Sequence, residues 1–468
     1  MVVLDFNKCG KCDVTCNSIH FQRNFKNWTS GNNNIDKFIQ DTQLSVHNDS
    51  EPSHTLEWIP YDRLYDIEYI TDDNKFEAYR INWINECIHG WVKEALKWIP
   101  YDSIYDIKYI TDDNKFGKVY KAKWIDGYID KWGYYNKNWK RKDQDMVVAL
   151  KSLDNSKNVT LEFMNEIALH YKVNLSKCII KFYGITQDPE TQDYIMVLDY
   201  AENGSLRNYL DTSHNELSWI DKINYLHSIA HGLKDIHENE LIHRDLHIGN
   251  ILRLKDLTCI TDMGLCKPAD YNASINTKNT KHSVHGVLPY IAPEILRGQK
   301  YTKAADIYSF GIIMYEVISG LPPYYDEGHD INLAIKICKG VRPRFNIKVP
   351  QLIVCLIKRC LDANQLDRPK IEEIKEILSR WYRESCSKYH HYNATINKQI
   401  KEAENINNSL QTSSLISTNL GVSYETHSEA IYTSRLLGFR NLPEPKNSED
   451  YYEQNDNIIS VKFSGIYW

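Results

Sequence analysis

A lysine, a glutamate, two aspartates and an asparagine stand out because of where they fall among the apolar segments. Lys151 closes the run Val148-Ala149-Leu150, and Glu166 follows on a stretch with helical spacing. His243-Arg244-Asp245-Leu246-His247-Ile248-Gly249-Asn250 lies between two apolar segments, and Asp262-Met263-Gly264 comes 17 residues after Asp245. Further on are Ala292-Pro293-Glu294, a segment reading DIYSFGI from Asp306, and Arg368 within LDRP. Carboxylate and amide oxygens are hard donors suited to Mg²⁺. A positioned aspartate can accept or orient the proton of a hydroxyl, and a fixed lysine can neutralise an anion.

In this order and spacing the motifs resemble the protein-kinase signatures. The resemblance covers residues 98–385, which is 288 of 468. The DIYSFGI segment and the catalytic loop are most similar to the tyrosine-kinase-like group. The flanking segments resemble the large kinase families of arbuscular mycorrhizal fungi. The resemblance implies an α+β, two-lobed fold, with a small β-rich N-lobe, a larger helical C-lobe and a site in the cleft between them. It also implies transfer of the γ-phosphate of Mg-ATP to protein hydroxyls.

Phosphoryl transfer depends on positioning and charge neutralisation more than on covalent help. Lys151 would meet the α/β-phosphates, held there by an ion pair with Glu166. Asp245 would accept or orient the substrate hydroxyl's proton, and Arg244 would pair with a phosphorylated loop residue. Asn250 and Asp262 would hold Mg²⁺. By the same resemblance Val119, Ala149 and Leu252 sandwich adenine, and Leu198 takes the gatekeeper position. Asp199 C=O and Ala201 N–H would bond the base edge. Glu294 and Arg368 would form a buried, structural ion pair under the activation segment.

Three features depart from the family pattern. Of the G-x-G-x-x-G loop only Gly117 remains, because Asp112 and Asn114 replace the first two glycines. Glycine lets the backbone approach phosphates closely; Asn tolerates positive φ, whereas Asp112 sets a negative charge near ATP. His247 stands where serine/threonine kinases carry Lys, and Val287 stands where they carry Thr. The tyrosine-kinase alternatives are absent too. Serine/threonine specificity is favoured, with dual or tyrosine specificity open. The rival reading is a pseudokinase scaffold with weak or no catalysis. Tyr271, Ser274, Thr277, Thr280 and Ser283 are candidate phosphorylation sites in the loop.

The elements that must position these residues can be read from periodicity. Alternation at 105–109 predicts a strand, 119–124, 146–150 and the buried-type 194–198 read as strands, and residues 126–145 read as a long exposed hairpin loop. Leu161, Met164, Ile167, Ala168 and Tyr171 form a helical stripe, as do Ile35, Phe38 and Ile39 after Asn33 and Asn34. Helical patterns dominate from about 204 to 385. Strands first and helices afterwards give the segregation of an α+β fold.

The segments outside 98–385 are less regular. Residues 58–76 and 98–116 match at 16 of 19 positions, at an offset of 40. Two copies are too few for a stacked array; residues 58–97 read as a degenerate partial repeat of the first strand region. Residues 1–57 are Asn-rich with the cluster Cys9, Cys12, Cys16 and His20. Three thiolates and an imidazole could complete a structural Zn²⁺ site; the competing reading is reduced, unliganded cysteines. Residues 386–468 read as a mostly disordered interaction arm with one helix near Lys398 to Leu410. Protein substrates are expected, with upstream kinases or adaptors engaging the terminal arms.

Net charge is −6, from 56 basic and 62 acidic residues, which argues against a chain-wide nucleic-acid binder. Eleven cysteines, an odd and scattered set, point to a reducing compartment. There is no run of 18 apolar residues and no signal-like N-terminus. An intracellular, cytoplasmic location is expected.

Overall fold

The strand-forming alternation after residue 104 is realised as one antiparallel sheet. The computed structural model describes residues 17–44, 104–109, 118–133, 135–152, 156–159, 161–269, 284–386, 395–413 and 425–448. They form two compact units, residues 1–201 with 262–264 and residues 202–261 with 265–468.

The first unit contains α1 (Asn17–Asn24), α2 (Asn33–Leu44), β1 (Ile104–Tyr109), β2 (Lys118–Trp124), β3 (Tyr128–Gly133), β4 (Asn138–Lys142), β5 (Met146–Ser152), α3 (Leu161–Val173), β6 (Phe182–Gln187) and β7 (Tyr194–Asp199). The five-stranded sheet runs β1-β2-β5-β7-β6. Its register sets Val119 opposite Lys151, and Ala149 opposite Leu198. The expected loop over 126–145 is instead a second, two-stranded sheet, β3 with β4. Its alternating aromatic and charged residues have the period of a strand, which a reading by composition alone overlooks.

Both faces of the sheet are covered, and the side-chain period of two sorts its residues between them. Ala122, Trp124, Val148, Leu150, Ile195 and Val197 pack on one face. Met196 and Leu198 point to the other, where Met164, Ile167 and Tyr171 of α3 meet them. Ala149 packs on this second face. Lys151, two residues on, therefore faces α3.

Helix α2 shares that second core. Ile35, Phe38 and Ile39 are 0, 4 and 0 % exposed and pack in one cluster with α3. Each such burial contributes about 1.5–3 kcal/mol. Asn32 caps the helix, its Oδ1 accepting from Asn34 N at 2.9 Å. Tyr194 Oη donates to Ser30 C=O at 3.0 Å, tying the loop before α2 to β7. In packing terms, α2 belongs to this unit's core although it lies within 1–57.

The second unit contains α4 (Leu206–Ser213), α5 (Trp219–Glu238), β8 (Leu241–Ile242), β9 (Ile251–Arg253), β10 (Thr258–Ile260), β11 (Lys267–Pro268), β12 (Val284–Gly286), α6 (Pro293–Leu296), α7 (Lys303–Ser319), α8 (Ile331–Cys338), α9 (Gln351–Cys360), α10 (Ile371–Ser385), α11 (Thr395–Ser413) and β13 (Arg435–Leu437). A capping box between Ser218 and Asp221 starts α5. Helix α7 is buried along almost its whole length, from Ala305 to Ser319. An all-round apolar sequence of this kind marks a central helix.

Residues 386–468 carry the helix expected near Lys398 to Leu410 and depart from a disordered arm at 425–448. Residues 395–413 form α11, and residues 425–448 run extended with β13 paired to β12. Composition predicts disorder where apolar burial is scarce. Residues 425–448 make backbone hydrogen bonds to the rest of the unit, which composition does not report, and α11 buries Ile396, Ile400 and Ala403.

The described cysteines, Cys178, Cys259, Cys266, Cys338, Cys355, Cys360 and Cys386, are free thiols. Among the described residues no helix is long and apolar enough to cross a membrane.

Candidate active site

The first unit gathers a lysine between two carboxylates. Strand β5 delivers Lys151 and the second turn of α3 faces it with Glu166. Lys151 Nζ lies 2.7 Å from Glu166 Oε1 and 3.0 Å from Asp262 Oδ1. Lys151 and Glu166 are each 7 % exposed. Burial alone would lower the Lys151 amine, but the Asp262 and Glu166 carboxylates outweigh it and hold the amine above its ordinary value. Burial pushes the Glu166 carboxyl up, against the pull of Lys151. The result is a fixed cation in a dry setting, where charge interactions are strong.

Asp262 sits at φ 63°, in the left-handed region. Its Oδ1 also accepts from Gly264 N at 3.1 Å. A Cβ at Gly264 would lie 3.1 Å from that oxygen and 3.4 Å from Glu166 Oε2. Glycine thus leaves the space in which the two carboxylates and the amine meet.

The second unit positions the other set. Asp306, 1 % exposed, accepts from His243 N at 2.8 Å and Arg244 N at 3.0 Å, and contacts His237 Nε2 at 2.9 Å. One buried carboxylate on α7 thereby shapes the turn that carries Asp245. Arg244 takes φ 71°. Two non-glycine residues in this conformation, Arg244 and Asp262, each store about 1–3 kcal/mol, as active-site backbones commonly do. The Arg244 guanidinium lies 4.5 Å from the centre of the Tyr301 ring. Among the described residues it pairs with no carboxylate.

Asp245 is 5 % exposed, with His247 Nε2 3.9 Å from its Oδ2. His247 Nδ1 accepts from Gly249 N at 3.1 Å, and its ring lies beside Tyr290. Asn250 Nδ2 donates to Asp245 C=O at 3.0 Å. This bond orients the amide, with Oδ1 as its remaining acceptor. A Cβ at Gly286, which takes φ +143°, would press on Asp245 Oδ1 at 3.3 Å and on Ile291 Cδ1 at 3.2 Å. Glu294 and Arg368 form the expected buried pair, with Arg368 Nη1 and Nη2 each 2.7 Å from a Glu294 oxygen.

The family model for protein tyrosine and serine/threonine kinases matches residues 108–378. The chain belongs to this family. Its kinase domain has a β-sheet N-lobe and a helical C-lobe. The chain is similar to a probable serine/threonine-protein kinase of Dictyostelium discoideum, 29 % identical over 266 residues, which is 53 % of this chain and 14 % of the relative. It is also similar to the RGS domain-containing serine/threonine-protein kinase A of the same organism, 32 % identical over 51 % of this chain and 20 % of the relative. Ephrin type-A receptor 3 of Danio rerio is 30 % identical over 52 % of this chain and 25 % of the relative. The matched region thus spans a quarter or less of the length of these kinases.

Set against the kinase signatures, the sheet carries Val119, Ala149, Lys151, Leu198 and Asp199 on the adjacent strands β2, β5 and β7. Ala201 follows β7 and is 9 % exposed. Leu252 lies on β9 and bridges to Ser205 in the second unit. Gly117, Asp112 and Asn114 lie outside the described residues, as do the repeat over 58–97 and the five hydroxyl residues from Tyr271 to Ser283. So do Cys9, Cys12 and Cys16; the ring of His20, the remaining member, lies edge-on to Trp139 at 6.4 Å. Among the described residues no group of three or more His, Cys, Asp or Glu could hold a metal ion. Asp306, His237 and Gly286 were not assigned roles from sequence. For Asp306 the signal was present as the first residue of DIYSFGI.

Proposed function

We propose that the chain is a protein kinase that transfers the γ-phosphate of Mg-ATP to protein hydroxyls, with serine and threonine favoured. The observation that carries this is the Lys151 amine held at 2.7 Å from Glu166 and 3.0 Å from Asp262. Such a cation is ready to receive phosphate oxygens. The donors also fit Mg²⁺: a carboxylate from Asp262 and an amide oxygen from Asn250 are the hard ligands that cation takes. When bound, Mg²⁺ neutralises charge on the phosphates. Asp245 orients the acceptor hydroxyl and takes up its proton. Val119, Ala149, Leu198 and Leu252 supply apolar surface for the base, and the backbones of Asp199 and Ala201 supply polar groups for its edge.

The catalytic domain in this reading spans 98–385, acts on protein substrates and works in the cytoplasm. Upstream kinases or adaptors engage the terminal arms. A second reading, a pseudokinase scaffold, is favoured by one feature, the replacement of two loop glycines by Asp112 and Asn114. Incubating the purified chain with Mg-ATP and a generic protein acceptor separates the two. Transfer that is abolished by Asp262→Asn supports the kinase reading. Equal residual phosphate in both proteins by mass spectrometry leaves the scaffold. Restoring glycine at Asp112 and Asn114 should lower the KM for ATP.

A further inference from the structure

The edge of β12 is occupied by a segment from far along the chain. Val284, His285 and Gly286 pair antiparallel with Leu437, Leu436 and Arg435. Gly286 is the residue whose missing Cβ leaves room for the Asp245 carboxylate. The backbone at Arg435 therefore stands one strand spacing, about 4.8 Å, from the residue that borders the proposed base. An added strand is a general way for a sheet edge to hold an extended peptide, because main-chain bonds supply affinity whatever the side chains are.

The segment is fastened on both sides of β13. Upstream, His427 N donates to Tyr325 C=O at 2.8 Å, His329 N donates to Glu429 C=O at 3.0 Å, and Tyr432 Oη donates to Pro323 C=O at 3.1 Å. Downstream, Arg297 pairs with both oxygens of Glu444, and Lys446 N donates to Cys338 C=O at 3.0 Å. Apolar burial is partial: Leu437 and Leu442 are covered, Ile431, Tyr432 and Phe439 are half-buried, and Leu436 is 68 % exposed. A peripheral segment held largely by hydrogen bonds can open locally while the rest of the unit stays folded. Ser434 Oγ is 3.0 Å from His285 Nδ1, so this hydroxyl is committed to β12.

We propose that residues 425–448 are an intramolecular occupant of the β12 edge, and that they exclude an extended protein substrate from it until displaced. This rests on the kinase reading above, deepens it, and gives the site a built-in competitor.

The test uses the full chain carrying Leu437→Asp together with Glu444→Arg. The first places a carboxylate at an apolar position and the second faces Arg297 with a like charge; neither residue belongs to the proposed catalytic machinery. The probe is a fluorescein-labelled peptide of residues 425–448. A tail docked nine-tenths of the time weakens a competitor's apparent affinity about tenfold. The variant should therefore bind the peptide at least about tenfold more tightly than the wild type, by anisotropy. Its KM for a protein acceptor should fall by a similar factor, with kcat and the KM for ATP unchanged. Saturating unlabelled peptide should restore the wild-type KM, a response a misfolded variant would not give. Equal peptide affinities, or an acceptor KM that stays the same or rises, would overturn the proposal. If neither protein transfers phosphate, the catalytic reading fails, and peptide binding alone decides whether the edge is a docking site.

Discussion

Replacing Glu294 by Gln keeps the shape of the side chain and removes one charge. The Arg368 side chain is 0 % exposed and that of Glu294 is 4 % exposed. Beyond its two bonds to Glu294, the guanidinium donates to Asp362 C=O at 2.8 Å and to Ala304 C=O at 2.9 Å. After Glu294→Gln those neutral carbonyls remain, and the buried positive charge has lost its counter-ion. Breaking a buried pair in this way costs about 3–5 kcal/mol. At about 2–4 °C per kcal/mol for a unit of this size, the melting temperature of the helical unit should fall by roughly 10 °C. The assay is thermal and urea unfolding followed by circular dichroism, comparing wild type, Glu294→Gln and the double variant Glu294→Met/Arg368→Met. The double variant should recover most of the loss, because apolar residues of similar volume often replace a buried pair at little cost. A loss below about 1 kcal/mol for Glu294→Gln, the range of an exposed pair, would refute the reasoning.

Two further outcomes follow from the same geometry. Gly286→Ala should lower kcat by about tenfold to a hundredfold with little change in the KM for ATP, because a displaced Asp245 loses alignment with its acceptor; steady-state kinetics would check this, and an unchanged kcat would show that the close approach at 3.3 Å is harmless. His170 is buried, donates to Ile180 C=O at 2.8 Å, and is pushed down to about 4 by that burial. Its folded value lies below its unfolded one, so the unfolded chain binds the proton first as pH falls. The stability His170 confers is present above about pH 6.5 and is lost as pH falls toward 4, on the order of 3 kcal/mol. In His170→Gln the decline in unfolding free energy between pH 6.5 and 4 should flatten.

The positions of the main strands and of the helix carrying Glu166 were legible because burial on two faces imposes periods that short windows reveal. Lys151 on β5 and Glu166 on α3 were legible for a further reason: the chemistry fixes their types. What sequence alone missed was made by backbone. The β3–β4 hairpin looked like a loop because its alternating residues are aromatic and charged rather than aliphatic. The docking of residues 425–448 depends on main-chain hydrogen bonds, which leave no mark on composition. Gly286, which opens the stretch containing Val287, showed no role of its own, because a glycine required for close approach to Asp245 looks like any other loop glycine until the fold is known.

The packing of α2 bears on how this protein can be cut. The family match begins at residue 108, yet Ile35 and Ile39 of α2 are wholly covered in the same cluster as Ile167 and Phe182. A recombinant fragment trimmed to the matched region would expose the part of that cluster which α2 covers, Tyr171 included. An exposed apolar patch of this kind is an aggregation liability. Expression designs that keep residues from Trp28 onward carry their own covering for that surface.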